Sequence, residues 1–227
     1  MSTSFEARFS ATGKKLPKLL ERLEAALQRS DVRFFGSVMQ LESHEGWPTV
    51  SGLGFDSVET MADLAGLAEN GWGVGLECVS DVLLEGLGRT DAVEVYFNIF
   101  RTDDNRWTVS YLEGSDATDF RAQSDAGARN LSALQAAVCH AGGFDLSIYD
   151  EQNHERSPVP TLRDAEVAIK RAAADPTRGD LSVAVSSRLM THERAQSLAG
   201  PRADQVKVSV NGYVLFPFLA PMSGPET

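Results

Sequence analysis

No lysine occurs between Lys18 and Lys170, so about two thirds of the chain has no Schiff-base or phosphate-binding lysine. Cysteine is nearly as scarce. Cys78 and Cys139 are the only two, and neither belongs to a Cys-x-x-Cys pair. That excludes a disulfide framework and leaves two reduced, buried thiols of a cytoplasmic protein as the expectation. Long hydrophobic runs are missing too. "YVLFPFLAPM" at 213–222 is ten residues with two prolines, whereas a spanning helix needs about twenty. The opening "MSTSFEARFSATGKK" has charges scattered through it and no continuous apolar stretch, so it reads as neither a secretory signal nor a membrane anchor.

Recognisable catalytic motifs are equally thin. His44, His154 and His192 each precede a glutamate, but none has a second histidine four residues on, as the helical zinc-protease motif requires. Cys139 and His140 are neighbours on one predicted helix and point about 100° apart, which makes no chelating pair. No Gly-x-Ser-x-Gly elbow occurs, and "ATGKK" lacks the first glycine and the terminal Ser or Thr of a P-loop. The sequence therefore assigns no catalytic residue, no metal ligand and no cofactor.

What the chain does have is negative charge. Its 227 residues carry 21 Lys plus Arg against 32 Asp plus Glu, a net charge of −11. The first 30 residues are basic at +3, residues 31–150 hold six bases against twenty acids, and 151–227 are balanced at nine each. From Phe34 to Gly88 there are nine carboxylates and no Lys or Arg. Backbone binding to nucleic acid and adsorption to anionic membranes both need clustered cations, so neither partner is expected. A basic protein would be attracted instead.

Apolar periodicity sets the elements. "SFEARFSA" alternates with period two and reads as a strand. Leu16, Leu19, Leu20, Leu23 and Leu27 form one stripe of a helix with Pro17 in its first turn. "VRFFGSVMQLES" is a second strand, followed by the Gly/Pro-punctuated "HEGWPTVSGLGFDS", a loop or irregular hairpin. A short helix from Ser57 ends at Asn70-Gly71. "VEVYFNIFRTDDNRWTVSYLEG" is a hairpin turning at Thr102–Asn105, and one long helix is expected from Thr118 to Ala141. "FDLSIYD" is a strand. Beyond the polar run "EQNHERSPVP" come a helix from Thr161, a strand "DLSVAVSS", a short helix "THERAQSLAG" and a hairpin on Asn211-Gly212. The sum is an α+β protein with a mixed, largely antiparallel sheet backed by helices and two β-hairpins. A boundary near 156 divides an acidic part, 1–156, from a smaller α+β part, 157–227, which can pack with it as one unit.

"ENGWGVGLECVSD" at 69–81 resembles a glycine-rich phosphate loop at first sight. A dinucleotide fingerprint, however, has its glycines after a strand and before a helix. Here they follow a helix and open a strand in which Trp72, Val74, Leu76 and Cys78 alternate with Gly73 and Gly75. One face of that strand has almost no side chains, so something can come close to its backbone.

Two functional expectations follow. The first is a non-catalytic acidic protein that engages a basic partner, as a bacterial immunity protein or antitoxin engages a toxin, through Glu42, Glu45, Asp56, Glu59, Asp63, Asp81, Glu85, Asp103 and Asp104. The second is a small-molecule enzyme or ligand-binding domain. Its site would lie at the end of the strand before the boundary, with Asp150, Glu151, His154 and Glu155 as acid/base or oxygen-ligand groups.

Overall fold

A computed structural model describes residues 4–217 except 45, 58–60, 62–63, 70–71, 89–92, 152–155 and 176–180, with the backbone alone at 35–36, 51–57, 69 and 122–123. In chain order the elements are β1 (Ser4–Phe9), α1 (Leu16–Gln28), β2 (Val32–His44), β3 (Trp47–Ser57), α2 (Leu64–Glu69), β4 (Gly73–Ser80), α3 (Asp81–Gly86), β5 (Glu94–Arg101) and β6 (Trp107–Gly114). They continue with α4 (Ser115–Gln123), α5 (Asp125–Gly142), β7 (Leu146–Glu151), α6 (Leu162–Ala174), β8 (Ser182–Ser186), α7 (His192–Ala199), a 3-10 turn (Gly200–Gln205), β9 (Lys207–Val208) and β10 (Tyr213–Phe216).

The strands form one ten-stranded sheet in the order β3-β2-β4-β5-β6-β1-β7-β8-β10-β9, with antiparallel pairing throughout. The α+β class expected from the sequence is therefore the observed one. Strands β8, β9 and β10, from beyond residue 156, extend the sheet that β7 belongs to.

Period-two alternation decides what covers each face. Phe5, Ala7 and Phe9 of β1, Val95, Phe97 and Ile99 of β5, and Trp107, Val109 and Tyr111 of β6 point to one side. There they pack with the leucine stripe of α1 and with Leu131, Leu134 and Val138 of α5. On the opposite face Leu146 and Ile148 of β7, Val183 and Val185 of β8, and Val214 and Phe216 of β10 meet Ala165, Ile169 and Ala172 of α6 and Ala195 and Ala199 of α7. The described residues thus form two apolar clusters, and β7 contributes to both through alternate residues.

Local chemistry departs from the sequence reading at three points. The helix expected over 118–141 is two helices that break at Ser124, whose backbone is extended and whose hydroxyl accepts from the Gly127 amide as the N-cap of α5. Gly127 is the close-contact point of this corner, since a Cβ there would lie 2.9 Å from the Phe120 ring and 3.2 Å from the Arg121 Cα. The punctuated stretch after β2 is the irregular hairpin of the two readings, strand β3 paired with β2 through a register shift between Met39 and Leu41. Ser57, however, expected to cap a helix, is the last residue of β3 and pairs with Ser37. A helix not anticipated, α3, begins where the Ser80 side chain accepts from Leu83 N.

The glycines of β4 answer the question raised by their spacing. A Cβ on Gly73 would sit 2.4 Å from the Ile99 carbonyl oxygen and 2.7 Å from the Phe100 Cα, and one on Gly75 would sit 3.1 Å from Asn98 Oδ1. The bare face therefore admits the neighbouring strand β5. Gly73→Ala must push backbone against backbone, and urea denaturation should read a loss of about 1–3 kcal/mol, the usual cost of overpacking.

Candidate functional site

The end of β7, one of the predicted sites, opens on a cavity. Antiparallel pairing sets Glu6 opposite Asp150 and Arg8 opposite Ile148, which brings the basic side chain of β1 beside the carboxylate of β7. Arg8 Nη2 lies 3.1 Å from Asp150 Oδ1 and Arg8 Nη1 donates to the Ser157 carbonyl at 2.7 Å. Arg156 closes on the other carboxylate oxygen of Asp150. Asp150 is 2% exposed, so this is a buried carboxylate held between two guanidiniums. Burial lowers the Arg8 pKa, while the charges of Glu6 and Asp164 oppose the shift.

Around this triad lies a cavity of about 340 Å³ lined by Ile148, Leu181 and the Asp164, Val167, Ala168 and Arg171 face of α6. Of the residues expected at this strand end, Asp150 is inside the cavity wall and Glu151 is exposed. His154 and Glu155 lie outside the described residues.

A second concavity, of about 570 Å³, opens at the opposite end of the strands. Its floor is aromatic. Trp72 stacks on Phe100 with ring centroids 4.9 Å apart, and Trp47 joins them from the start of β3. Asp103 and Asp104 of the β5–β6 turn line it together with Arg101, Arg106 and Arg156. Asp104 is tied to Arg106 at 2.6 Å and accepts from the Thr102 hydroxyl. The Thr102 and Arg106 contacts outweigh the opposing effect of slight desolvation and hold its pKa below the usual carboxylate value.

The carboxylates expected to meet a basic partner divide between the two ends of the sheet. Leu41 and Phe100 both pair with Gly73, so exposed Glu42 lies at the same end as Asp103 and Asp104. Asp81 and Glu85 lie beyond the other end of β4, about 25 Å away along eight residues of strand. Asp81 is bound by Arg33 through two hydrogen bonds, of 2.7 and 2.5 Å. Asp56 belongs to the edge strand β3, and Glu45, Glu59 and Asp63 lie outside the described residues.

Sequence reasoning missed the most concentrated polar network. Glu113, at the end of β6, receives Arg121 Nε and Nη2, both at 2.7 Å, and the hydroxyls of Tyr111 and Tyr149. Arg121 also donates to the Gly127 carbonyl at 3.0 Å. Both charged side chains are 0% exposed. Burial alone would raise the Glu113 pKa, but Arg121 and the two phenols outweigh it and hold the carboxyl below its ordinary range. Burial and the Glu113 charge push both tyrosines well above theirs. One signal was available: Glu113 falls in phase with Trp107, Val109 and Tyr111, where the alternation calls for an apolar residue.

Glu6 is the other unexpected group. It is 1% exposed, its Oε2 has no hydrogen-bond partner, and burial raises its pKa to about 7 against the weaker pull of Ser110 and Arg8. Both cysteines are buried free thiols, and burial raises Cys78 to about 12, so neither is a nucleophile near neutral pH. Among the described residues no three His, Cys, Asp or Glu side chains cluster as metal ligands, and no helix is long and apolar enough to cross a membrane.

No protein-family model matches the chain, and no curated protein matches it. Among solved structures, the Pseudomonas aeruginosa T6SS protein PA0821 aligns with it at a TM-score of 0.45 and 9% sequence identity, over 97% of this chain and 70% of its own. A likeness of that degree transfers neither an activity nor a partner.

Proposed function

We propose that this chain is a non-catalytic, cytoplasmic binding protein that engages a basic protein partner, in the manner of a bacterial immunity protein or antitoxin that neutralises a toxin. The observation that carries the reading is the aromatic cleft of Trp47, Trp72 and Phe100 beside the exposed carboxylates of the β5–β6 turn. Buried aromatic anchors at the centre of a patch and charges at its rim are the features that dominate affinity in protein interfaces. A lysine or arginine stem laid on half-buried Trp72, whose ring is backed by buried Phe100, would bring its charged end towards Asp103 and Asp104. Glu42 adds a negative charge at the same end of the sheet, and the net charge of −11 favours encounter with a positive partner. The reading requires no cofactor, nucleic acid or membrane.

The test starts by cross-linking the full chain in its native host and identifying the captured protein. The affinity of the purified pair is then measured at about 50 and 300 mM salt, where surface charge is progressively screened. Expected are a basic partner, weaker binding at the higher salt, and a further loss of about tenfold in D103N/D104N, equivalent to about 1.4 kcal/mol. An affinity indifferent to both salt and the double substitution would sink the reading.

A further inference from the structure

The cavity beside Asp150 holds an unequal set of charges. Arg8, Arg156 and Arg171 line it against Asp150 and Asp164. Both carboxylates are already engaged. Asp150 is gripped by Arg8 and Arg156, and Asp164 accepts from the Thr161 amide at 2.8 Å and the Thr161 hydroxyl at 2.6 Å as part of the capping box of α6. Arg171 has no ion-pair partner among the described residues. Counted over the lining, three guanidiniums stand against two carboxylates, an excess of one positive charge, and Arg171 is the guanidinium free to meet a ligand.

The same wall is apolar between its charged ends. Asp164, Val167, Ala168 and Arg171 follow at offsets of three, four and seven, one face of the helix. Val167 is 47% exposed, unusual for a valine in mid-helix, and Ile148 and Leu181 face it across the cavity. Val167 and Arg171 are one turn apart, so a ligand lying along α6 would touch both.

We propose that this cavity binds a small organic monoanion, a carboxylate with a short aliphatic body, with Arg171 taking the carboxylate and Val167, Ala168, Ile148 and Leu181 enclosing the body. A cation is disfavoured by the excess of guanidiniums over carboxylates in the lining. A bare inorganic anion would leave the apolar wall without a role. The volume of about 340 Å³ suits a ligand of this size. Arg8 and Arg156 act at one remove, fixing Asp150 and keeping the potential of the inner end positive. The proposal does not rest on the partner reading: the cavity borders the aromatic cleft through Arg156 and Ser157, but Arg171 and Val167 belong to the cavity alone.

The test is an isothermal and NMR titration of the isotope-labelled full chain with hexanoate, hexylammonium and inorganic phosphate. Hexanoate is expected to saturate by about 10 mM, with shifts confined to α6, β7 and Leu181, and to bind at least about tenfold better than the other two. Arg171→Gln, a change at an exposed position, should weaken hexanoate about fivefold or more and leave the melting temperature unchanged. Three results would overturn the assignment: no saturation, equal binding of hexylammonium or phosphate, or unchanged affinity in Arg171→Gln.

Discussion

Arg121→Met is expected to cost about 3–5 kcal/mol of unfolding free energy at pH 7, the usual consequence of removing one partner from a buried ion pair. Glu113 keeps its place on β6 and loses both bonds from the guanidinium, so a carboxylate at 0% exposure is left with only the two tyrosine hydroxyls. Burial, now unopposed by Arg121, drives its pKa up. The sign of the pH dependence then reverses. In the parent chain the lowered Glu113 pKa contributes stability that is present above the unfolded value and lost as pH falls through the folded one. In the variant the carboxyl prefers to be protonated, so the deficit shrinks in acid. Urea denaturation of parent and variant at pH 4.5 and 8 should show the gap narrowing in acid, and E113Q/R121M should recover part of the loss by removing the stranded charge while keeping an oxygen for Tyr111 and Tyr149. A loss below about 1 kcal/mol would mean that the pair is not desolvated in solution.

Glu6→Gln is expected to act in the opposite direction and stabilise the protein. The folded pKa of about 7 stands above the ordinary 4.5, so Glu6 costs nothing below pH 4.5 and progressively more as pH rises to 7. Above that the cost levels off at about 3 kcal/mol. The amide removes this dependence, so the variant should match the parent near pH 4 and exceed it by up to about 3 kcal/mol at pH 8. Denaturant midpoints measured across that range decide the matter, because curves that run parallel would mean that Glu6 is solvated in the folded chain.

These two carboxylates also mark where the sequence could and could not be read. Helix α1, the β5–β6 hairpin and the turn at Asn211-Gly212 were legible because each is specified by contiguous residues: a leucine stripe, a period-two alternation, a turn dipeptide. Glu6 and Arg8 look like the solvent face of an amphipathic strand, and that inference holds only for a sheet with one wet face. β1 has the α1 and α5 layer on one face and the Ser157 segment against Arg8 on the other, and Glu6 and Arg8 are both buried. That depends on strand order, which no local pattern encodes. The break at Ser124 was hidden for a related reason, since apolar spacing runs on across it and only the packing of Phe120 against Gly127 reveals the corner.

At the candidate sites the sequence supplied Asp150 and the β5–β6 turn but not their surroundings. Arg8 and Asp150 are 142 positions apart and meet only because β1 and β7 are neighbours. Trp72 and Phe100 fall in separate strands of the sequence pattern and Trp47 in its loop or irregular hairpin, and the three become one cleft only when β3, β4 and β5 end together.

The central position of β1 has a consequence for how the molecule assembles. Its six residues pair with positions 110–114 on one side and 147–151 on the other. The middle of the sheet therefore stays unfinished until segments more than a hundred residues downstream arrive. Closure over such separations makes for slow acquisition of structure, and the unpaired margins of the neighbouring strands are open to wrong partners in the interval.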